Sequence, residues 1–365
     1  MSGSTDRRAA RGGTSVKEAV SRYLGSLDSG GSRSTMRSPL TEFADFCDQE
    51  GVQRVGALET NTLREYGMYL RERAIDQELA ASTANTYFNY VRAFLSFCVR
   101  DELLDTNPAN TQRAEEFLPE DKGDRNRQFW DPKHRQQLIN YVTERVDLAL
   151  EDTIDVSREI AYRDRAIVVL LADAGVRGAE LFRDPRDDAR NGVTWGDVDL
   201  ENHSLEVFGK SRQYERVGLP SAARDALDRY RRVAEPPTDA WPIFPTGHAP
   251  SKYAAYREVT GRDLDENVDI DDALRNAEIP PPALTKAGGR SVMKRLTQEA
   301  GIDLEDGEYL KPHGARRALG AELYEKGHSE LAQSALRHKS IETTHESYSD
   351  IQAKDVAQGI DEVRE

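Results

Sequence analysis

Residues 109–129 divide the chain. Before them nearly every apolar stripe has helical spacing; after them helical and alternating patterns mix. Between lie Glu115-Glu116 and Glu120-Asp-Lys-Gly-Asp124, charged and without period. Such a stretch offers no apolar face to bury, so it reads as an exposed linker between two cored domains. A chain of 365 residues has length for two, at roughly 150 residues each. The expected fold is mostly α with a small β-sheet (α+β). A helical domain is expected over 15–108 and a mixed domain over 130–350. A disordered tail (1–14) and a short terminal helix (351–365) flank them.

In the first domain Met36, Leu40, Phe43 and Cys47 recur at helical spacing, as do Leu63, Tyr66 and Leu70, and Ala84, Tyr87, Val91, Phe94 and Cys98. Ser82 is the expected N-cap of the last of these helices. Asn107-Pro108 closes the domain, because a residue before proline avoids helix. Beyond Trp130, Asp131-Pro132 opens a helix and Tyr162–Ala174 is a buried one. Val193–Trp195, Ser204–Phe208 and Arg216–Leu219 read as strands. Helices return at 221–233, 291–300, 313–326 and 329–336. Asp263–Pro282, acidic and ending in three prolines, reads as a surface insertion.

Net charge is −15 and the isoelectric point about 5.1. Any anion site must therefore be local. Only 11 of the 50 Lys+Arg are lysine, and this acid-rich, lysine-poor balance resembles proteins of salt-loving archaea. In molar salt the Debye length shrinks to about 3 Å, so a negative surface repels a polyanion only at contact range. Cys47 and Cys98 sit in apolar helical patterns and read as core thiols, neither a disulfide framework nor a metal site. No run reaches the ~18 apolar residues of a membrane span, so no membrane partner is expected and the location expected is cytoplasmic.

The residues with chemistry come in the order Arg177, Lys210, His313, Arg316, His338, Tyr348. Singly each has an ordinary reading: Arg177 as a helix-end arginine, Lys210 as a solvated turn lysine, Tyr348 as a packed aromatic. Together they supply the parts of a metal-free attack on a phosphodiester. Two guanidiniums can hold non-bridging oxygens bidentately. His313 and Arg316 share a face at a helix start, where free N–H groups and the dipole favour a phosphate. Two imidazoles can donate hydrogen bonds or take a proton. A lysine, unlike an arginine, can give up a proton to a leaving 5′-oxygen. The phenol can be the covalent nucleophile. Glu180 could hold Arg177 from behind.

This order, with Gly209-Lys210-Ser-Arg212 leading to Arg216-Val-Gly-Leu219-Pro220 and with Trp195-Gly-Asp197-Val-Asp199 before it, resembles the tyrosine recombinase (phage integrase and Xer-type) family. The resemblance covers nearly the whole chain after the first dozen residues. It implies a SAM-like helical core-binding domain over 15–108 and a tyrosine-recombinase catalytic domain over 130–350. It implies a site-specific DNA recombinase acting through a 3′-phosphotyrosyl bond, with the six residues above as the catalytic set and neither metal nor cofactor. The implied partner is double-stranded DNA with specific target sites, gripped by both domains and bound by a homotetramer. Arg212 and Arg317 are the expected phosphate contacts. Thr83, Asn85 and Asn89 are expected on a helix face that could enter the major groove. The terminal stripe Val356, Ile360 and Val363 is expected to dock on a neighbouring protomer.

Two departures stand out. The family's Leu-Gly-His is Leu336-Arg337-His338, and the spacing from His338 to Tyr348 is one residue longer than the commonest one. An extra residue turns a helix by about 100°, so it is expected in a turn over 339–344. His345 is expected to be a surface imidazole. The rival functions are a type IB topoisomerase-like relaxase and a non-catalytic DNA-binding protein on the same scaffold. A metal-dependent nuclease using acids such as Asp271-Asp272 is discounted for want of a paired, spaced acidic motif.

Overall fold

The computed structural model describes residues 13–121, 128–338 and 340–348. The tail over 1–12 and the expected terminal helix with Val356, Ile360 and Val363 lie outside the described residues. The chain divides into two compact units, one within residues 1–126 and one within 127–365.

The first unit is a helical bundle: α1 Val16–Ser26, α2 Gly30–Gln49, α3 Thr60–Ile75, α4 Ala81–Arg100 and the short α5 Gln112–Glu115. Ser15 and Ser29 cap α1 and α2 by accepting from the Glu18 and Ser32 amides, which satisfies donors that a helix start leaves free. The apolar stripes meet in one core, with Leu40, Phe43, Cys47, Leu63, Tyr66 and Leu70 fully buried. On α4 the buried face is Ala84, Phe88, Val91, Phe94, Leu95 and Cys98. Tyr87 lies at its edge, partly buried, and Phe88 takes the central place. Ser82 is not the cap: α4 begins at Ala81 behind Ala80, and Ser82 falls inside the first turn. Burial pushes both thiols up to about 12, so they are inert packing groups.

Near the start of the second unit Trp130 donates its indole N–H to the Lys311 carbonyl. Helices α6 Pro132–Leu150 and α7 Arg158–Asp173 follow, then a four-residue α8, Gly178–Leu181. The sheet is antiparallel in the order β1 Val198–Asp199, β2 Ser204–Phe208, β3 Tyr214–Gly218. Its register sets Leu205 opposite Val217 and Val207 opposite Glu215. Leu205, Val207 and Val217 are buried, the period-two alternation of a half-buried sheet. After it come α9 Ser221–Ala234, α10 Ala249–Thr260, α11 Ile270–Asn276, α12 Lys286–Glu299, α13 Pro312–Glu325, α14 Ser329–Leu336 and α15 Ile341–Ser347. Among the described residues no helix is long and apolar enough to cross a membrane.

Three further sequence expectations fail. The stretch 109–129 is not an exposed linker throughout: α5 lies within it, and Ala109 and Ala114 are buried in the helical core. Val193–Trp195 is not a strand. Asp197 accepts from both the amide and the hydroxyl of Thr194, so the chain turns into a 3₁₀ turn at Trp195 and the sheet starts at Val198. Asp263–Pro282 is not a mere surface insertion. Asp269 caps α11, and Ile270, Leu274 and Ile279 enter the main core. The acids around them hide an i, i+4 apolar pair.

α7 is buried along most of its length, and of its charged residues Asp164 is the one in the buried class, at 0% exposure. Arg145, Arg163 and Arg295 bind it at 2.6, 2.8 and 2.5 Å. Removing one partner of a buried ionic cluster leaves uncompensated charge. Asp164→Ala should therefore cost the second unit about 3–5 kcal/mol, read as a lower denaturant midpoint at unchanged m-value. A midpoint within error of the parent would show that water already screens this cluster.

Candidate active site

α7 ends at Asp173, and Gly175 turns the chain with φ +60°, a region that favours glycine. Arg177 is therefore not a helix C-terminus but the first residue of the next turn, capping α8. Glu180, almost fully buried, grips it twice: Oε2 accepts from the Arg177 amide at 2.9 Å and Oε1 from Nη1 at 2.7 Å. The Arg177 guanidinium is thereby aimed, with Nη2 3.5 Å from the Leu336 carbonyl.

Pro312 opens α13, placing His313 and Arg316 in its first turns. Gln128 pins that start by accepting from the Lys311 amide and donating to the Tyr309 carbonyl. Arg316 is buried and donates to the carbonyls of Gly175 and Leu336. It thus joins the turn before Arg177 to the end of α14.

α14 stops at Arg337, in the left-handed region at φ 49°, ψ 48°. A non-glycine residue there costs about 1 kcal/mol, and glycine is the usual occupant. The turn carries His338 back, its amide bonded to the Gln333 carbonyl. The expected turn over 339–344 is mostly helix instead. Ser340 caps α15, which runs from Ile341 to Ser347 and sets Tyr348 at its end. Tyr348 is 4% exposed. Its ring lies 5.7 Å from that of Tyr324, and its hydroxyl donates to the Arg317 carbonyl at 3.4 Å. Gly320 makes the seat, because a Cβ there would collide with the phenol oxygen. His345 is not a surface imidazole: its Nδ1 lies 2.6 Å from the Tyr324 hydroxyl.

His313, Arg316, Arg317, His338 and Tyr348, with Phe129 and Leu336, line one cavity of about 160 Å³. That is below the ~300–1,000 Å³ of small-molecule pockets and on the scale of a phosphate group. Arg177 does not line it: it lines a second cavity, of about 490 Å³, which shares His313, and its Nη2 reaches the Leu336 carbonyl. Lys210 does not line it. It sits exposed at the tip of the β2–β3 hairpin, where Gly209 and Arg212 close the turn through backbone bonds. Arg212 is pinned: it pairs with buried Asp187 at 2.9 Å and stacks on Phe208. In the helical unit Asn85 donates to the Pro119 carbonyl and Asn89 accepts from Arg92; Thr83 is half-buried.

The cavity is over-supplied with positive charge. Partial burial, then the Arg317, Arg316 and Arg177 charges, lower the His313 pKa. Burial, then Arg316 and Arg177, do the same to His338. Burial and the neighbouring Arg177 and Arg337 also work against the Arg316 guanidinium. Burial raises the Tyr348 phenol, against the opposing pull of Arg316 and Arg317. An anion in the cavity would reverse the strain on the cations.

This has a pH consequence. Below the ordinary imidazole pKa near 6.5, the unfolded chain binds protons that the native site refuses until its lowered pKa is reached. Stability therefore falls as pH drops through that window. The melting temperature should be lower at about pH 5.5 than at about pH 7.5. The gap should shrink in a His313→Gln, His338→Gln double variant; an unchanged gap would assign it to other groups.

The family model for the phage integrase family matches residues 148–355. The tyrosine recombinase XerC of Halalkalibacterium halodurans is 24% identical over 314 residues, spanning 84% of this chain and 82% of that protein. The tyrosine recombinase XerD of Xanthomonas axonopodis pv. citri is 27% identical over 278 residues, 76% of this chain and 74% of that one. Among solved structures, the XerH site-specific recombinase in a post-cleavage complex with its palindromic difH substrate superposes with a TM-score of 0.57. It is 17% identical and covers 91% of this chain and 80% of that one. A lambda integrase dimer on a core site gives 0.52 at 13% identity, covering 94% and 79%.

Proposed function

The chain belongs to the phage integrase family and is a site-specific DNA recombinase, and from that premise we propose that Tyr348 is its nucleophile and that the cavity beneath it holds the scissile phosphate. The observation that carries this is the shared lining: the phenol, both imidazoles and Arg316 face one phosphate-sized space.

Arg316 and Arg177 hold the non-bridging oxygens and offset the charge that grows on them in the transition state. The Tyr348 oxygen attacks phosphorus, and its proton passes to an imidazole. The bond from phosphorus to the 5′-oxygen breaks. Lys210, reaching in from the hairpin, protonates that oxygen. The products are a 3′-phosphotyrosyl bond and a free 5′-hydroxyl. The 5′-hydroxyl of a partner strand reverses each transfer, so bond energy is conserved. Exchange of both strands between two duplexes calls for four protomers, and the assembly is a homotetramer acting on DNA in the cytoplasm. Arg317, lining the cavity, contacts a phosphate. Arg212, Asn85 and Asn89 contact DNA where their present bonds yield to it, and Thr83 contacts it from the same helix as Asn85 and Asn89.

Nicked duplexes tiled across the DNA flanking the gene, incubated in EDTA, test this. A covalent protein–DNA complex is expected. Free ends that need a divalent metal would indicate a nuclease, and bound but uncut DNA a scaffold without turnover. Joining of two separate duplexes distinguishes recombination from relaxation.

A further inference from the structure

The Arg337 side chain, at the position where the family resemblance has glycine, is engaged at both ends. Its Nη2 donates to Glu180 Oε2 at 2.6 Å and its Nε to Glu215 Oε2 at 3.0 Å, with the side chain 12% exposed. Glu180 is the carboxylate that aims Arg177. Glu215 lies on β3 beneath the hairpin tip. Its Oε1 accepts from the Ser211 hydroxyl at 2.5 Å, and its carboxylate fills the space where a Cβ on Gly209 would stand. Those two residues flank Lys210.

One guanidinium therefore closes a chain of contacts from the phosphate-holding arginine, through Glu180 and Glu215, to the turn that carries the lysine. An unfavourable backbone conformation at Arg337 persists where glycine would relieve it, which requires the side chain to repay the strain. Two charge-assisted hydrogen bonds, largely shielded from water, do so. Without them the tip would be held by Arg190, which binds the Phe208 and Gly209 carbonyls, and by the Arg212–Asp187 pair. Both guanidiniums lie over the Phe208 ring, and strand alternation puts Phe208 on the opposite face from Val207 and its partner Glu215.

We propose that Arg337 is a positioning residue that straps the β2–β3 hairpin to the Arg177–Glu180 pair and so sets where Lys210 can deliver its proton. The proposal rests on the reading of Lys210 as the general acid. Arg337→Gly, Arg337→Lys, Glu215→Gln and Lys210→Ala in the full chain test it together, on nicked duplexes with either an ordinary 5′-oxygen or a 5′-bridging sulfur at the cut. A thiolate leaves without a proton, so the sulfur substrate bypasses the acid.

General acids contribute roughly 10²–10⁴ in rate, so a misplaced one should slow oxygen cleavage by roughly 10–100-fold in Arg337→Gly and Glu215→Gln. The sulfur substrate should restore both, as it restores Lys210→Ala, and Arg337→Lys should fall between. Amides of Gly209 and Arg212 should exchange faster in Arg337→Gly while those of α14 stay protected. Equal slowing on both substrates, or cleavage at the parent rate, would overturn the strap. If Lys210→Ala itself is not restored by sulfur, the acid assignment fails. The amide exchange then decides the strap alone: unchanged protection at Gly209 and Arg212 rejects it, and loss of protection upholds it as a hairpin tether.

Discussion

Replacing Tyr348 by phenylalanine should abolish the covalent protein–DNA complex and leave duplex binding and folding intact. The ring keeps its place against Tyr324 and over Gly320. Among the described residues the bond lost is the long one to the Arg317 carbonyl, at 3.4 Å, which contributes little to stability. What disappears is the attacking oxygen. Loss of a nucleophile that works as a unit with its neighbours costs on the order of 10⁶ in kcat in a well-studied hydrolase. A loss of that scale is below detection in a trapping assay. A Tyr348→Phe protein that still traps would move the nucleophile elsewhere, and Tyr324 is the nearest candidate.

Arg316→Ala should lower single-turnover cleavage by about 10²–10³-fold, the usual effect of deleting one transition-state donor. It should also weaken the fold, because its guanidinium joins the Gly175 and Leu336 carbonyls inside the unit. Hydrogen bonds from a charged donor contribute about 1.5–3 kcal/mol each. Arg316→Lys retains the charge but lacks the planar fork, so it cannot serve two carbonyls and an oxyanion together. It should recover stability better than rate. Arg177→Ala should match the rate loss with a smaller stability loss, since its side chain is 25% exposed and held chiefly by Glu180. If both alanine variants cleave within tenfold of the parent at saturating DNA, the cavity does not hold the phosphate.

Much of this was legible in the residues themselves. Helix positions follow from apolar spacing, and the order of six reactive side chains carries the resemblance to the family. The misses share a cause: local pattern competes with long-range partners. Ser82 has the residue type of a cap, but the cap position is Ala80, two residues earlier, in a helix that buries Ala84 and Phe88. Ile270 and Leu274 are only two apolar residues among acids, too short a stripe to announce a core helix. His345 has no sequence neighbour that foretells Tyr324, 21 positions away. Arg337 was visible as a departure from the family pattern, yet its partners lie 157 and 122 positions away. No periodicity reports such pairs. Asn85 and Arg212 suggest DNA contacts by residue type, which does not show the internal bonds that each also makes.

The most direct test is to digest the covalent complex and find, by mass spectrometry, which side chain carries the nucleotide 3′-phosphate. Attachment at the oxygen of Tyr348 is the result that follows from a phenol seated over His313, Arg316 and His338. Attachment at Tyr324 or any other residue, with Tyr348 unmodified, would mean that this pocket is not where the strand is cut.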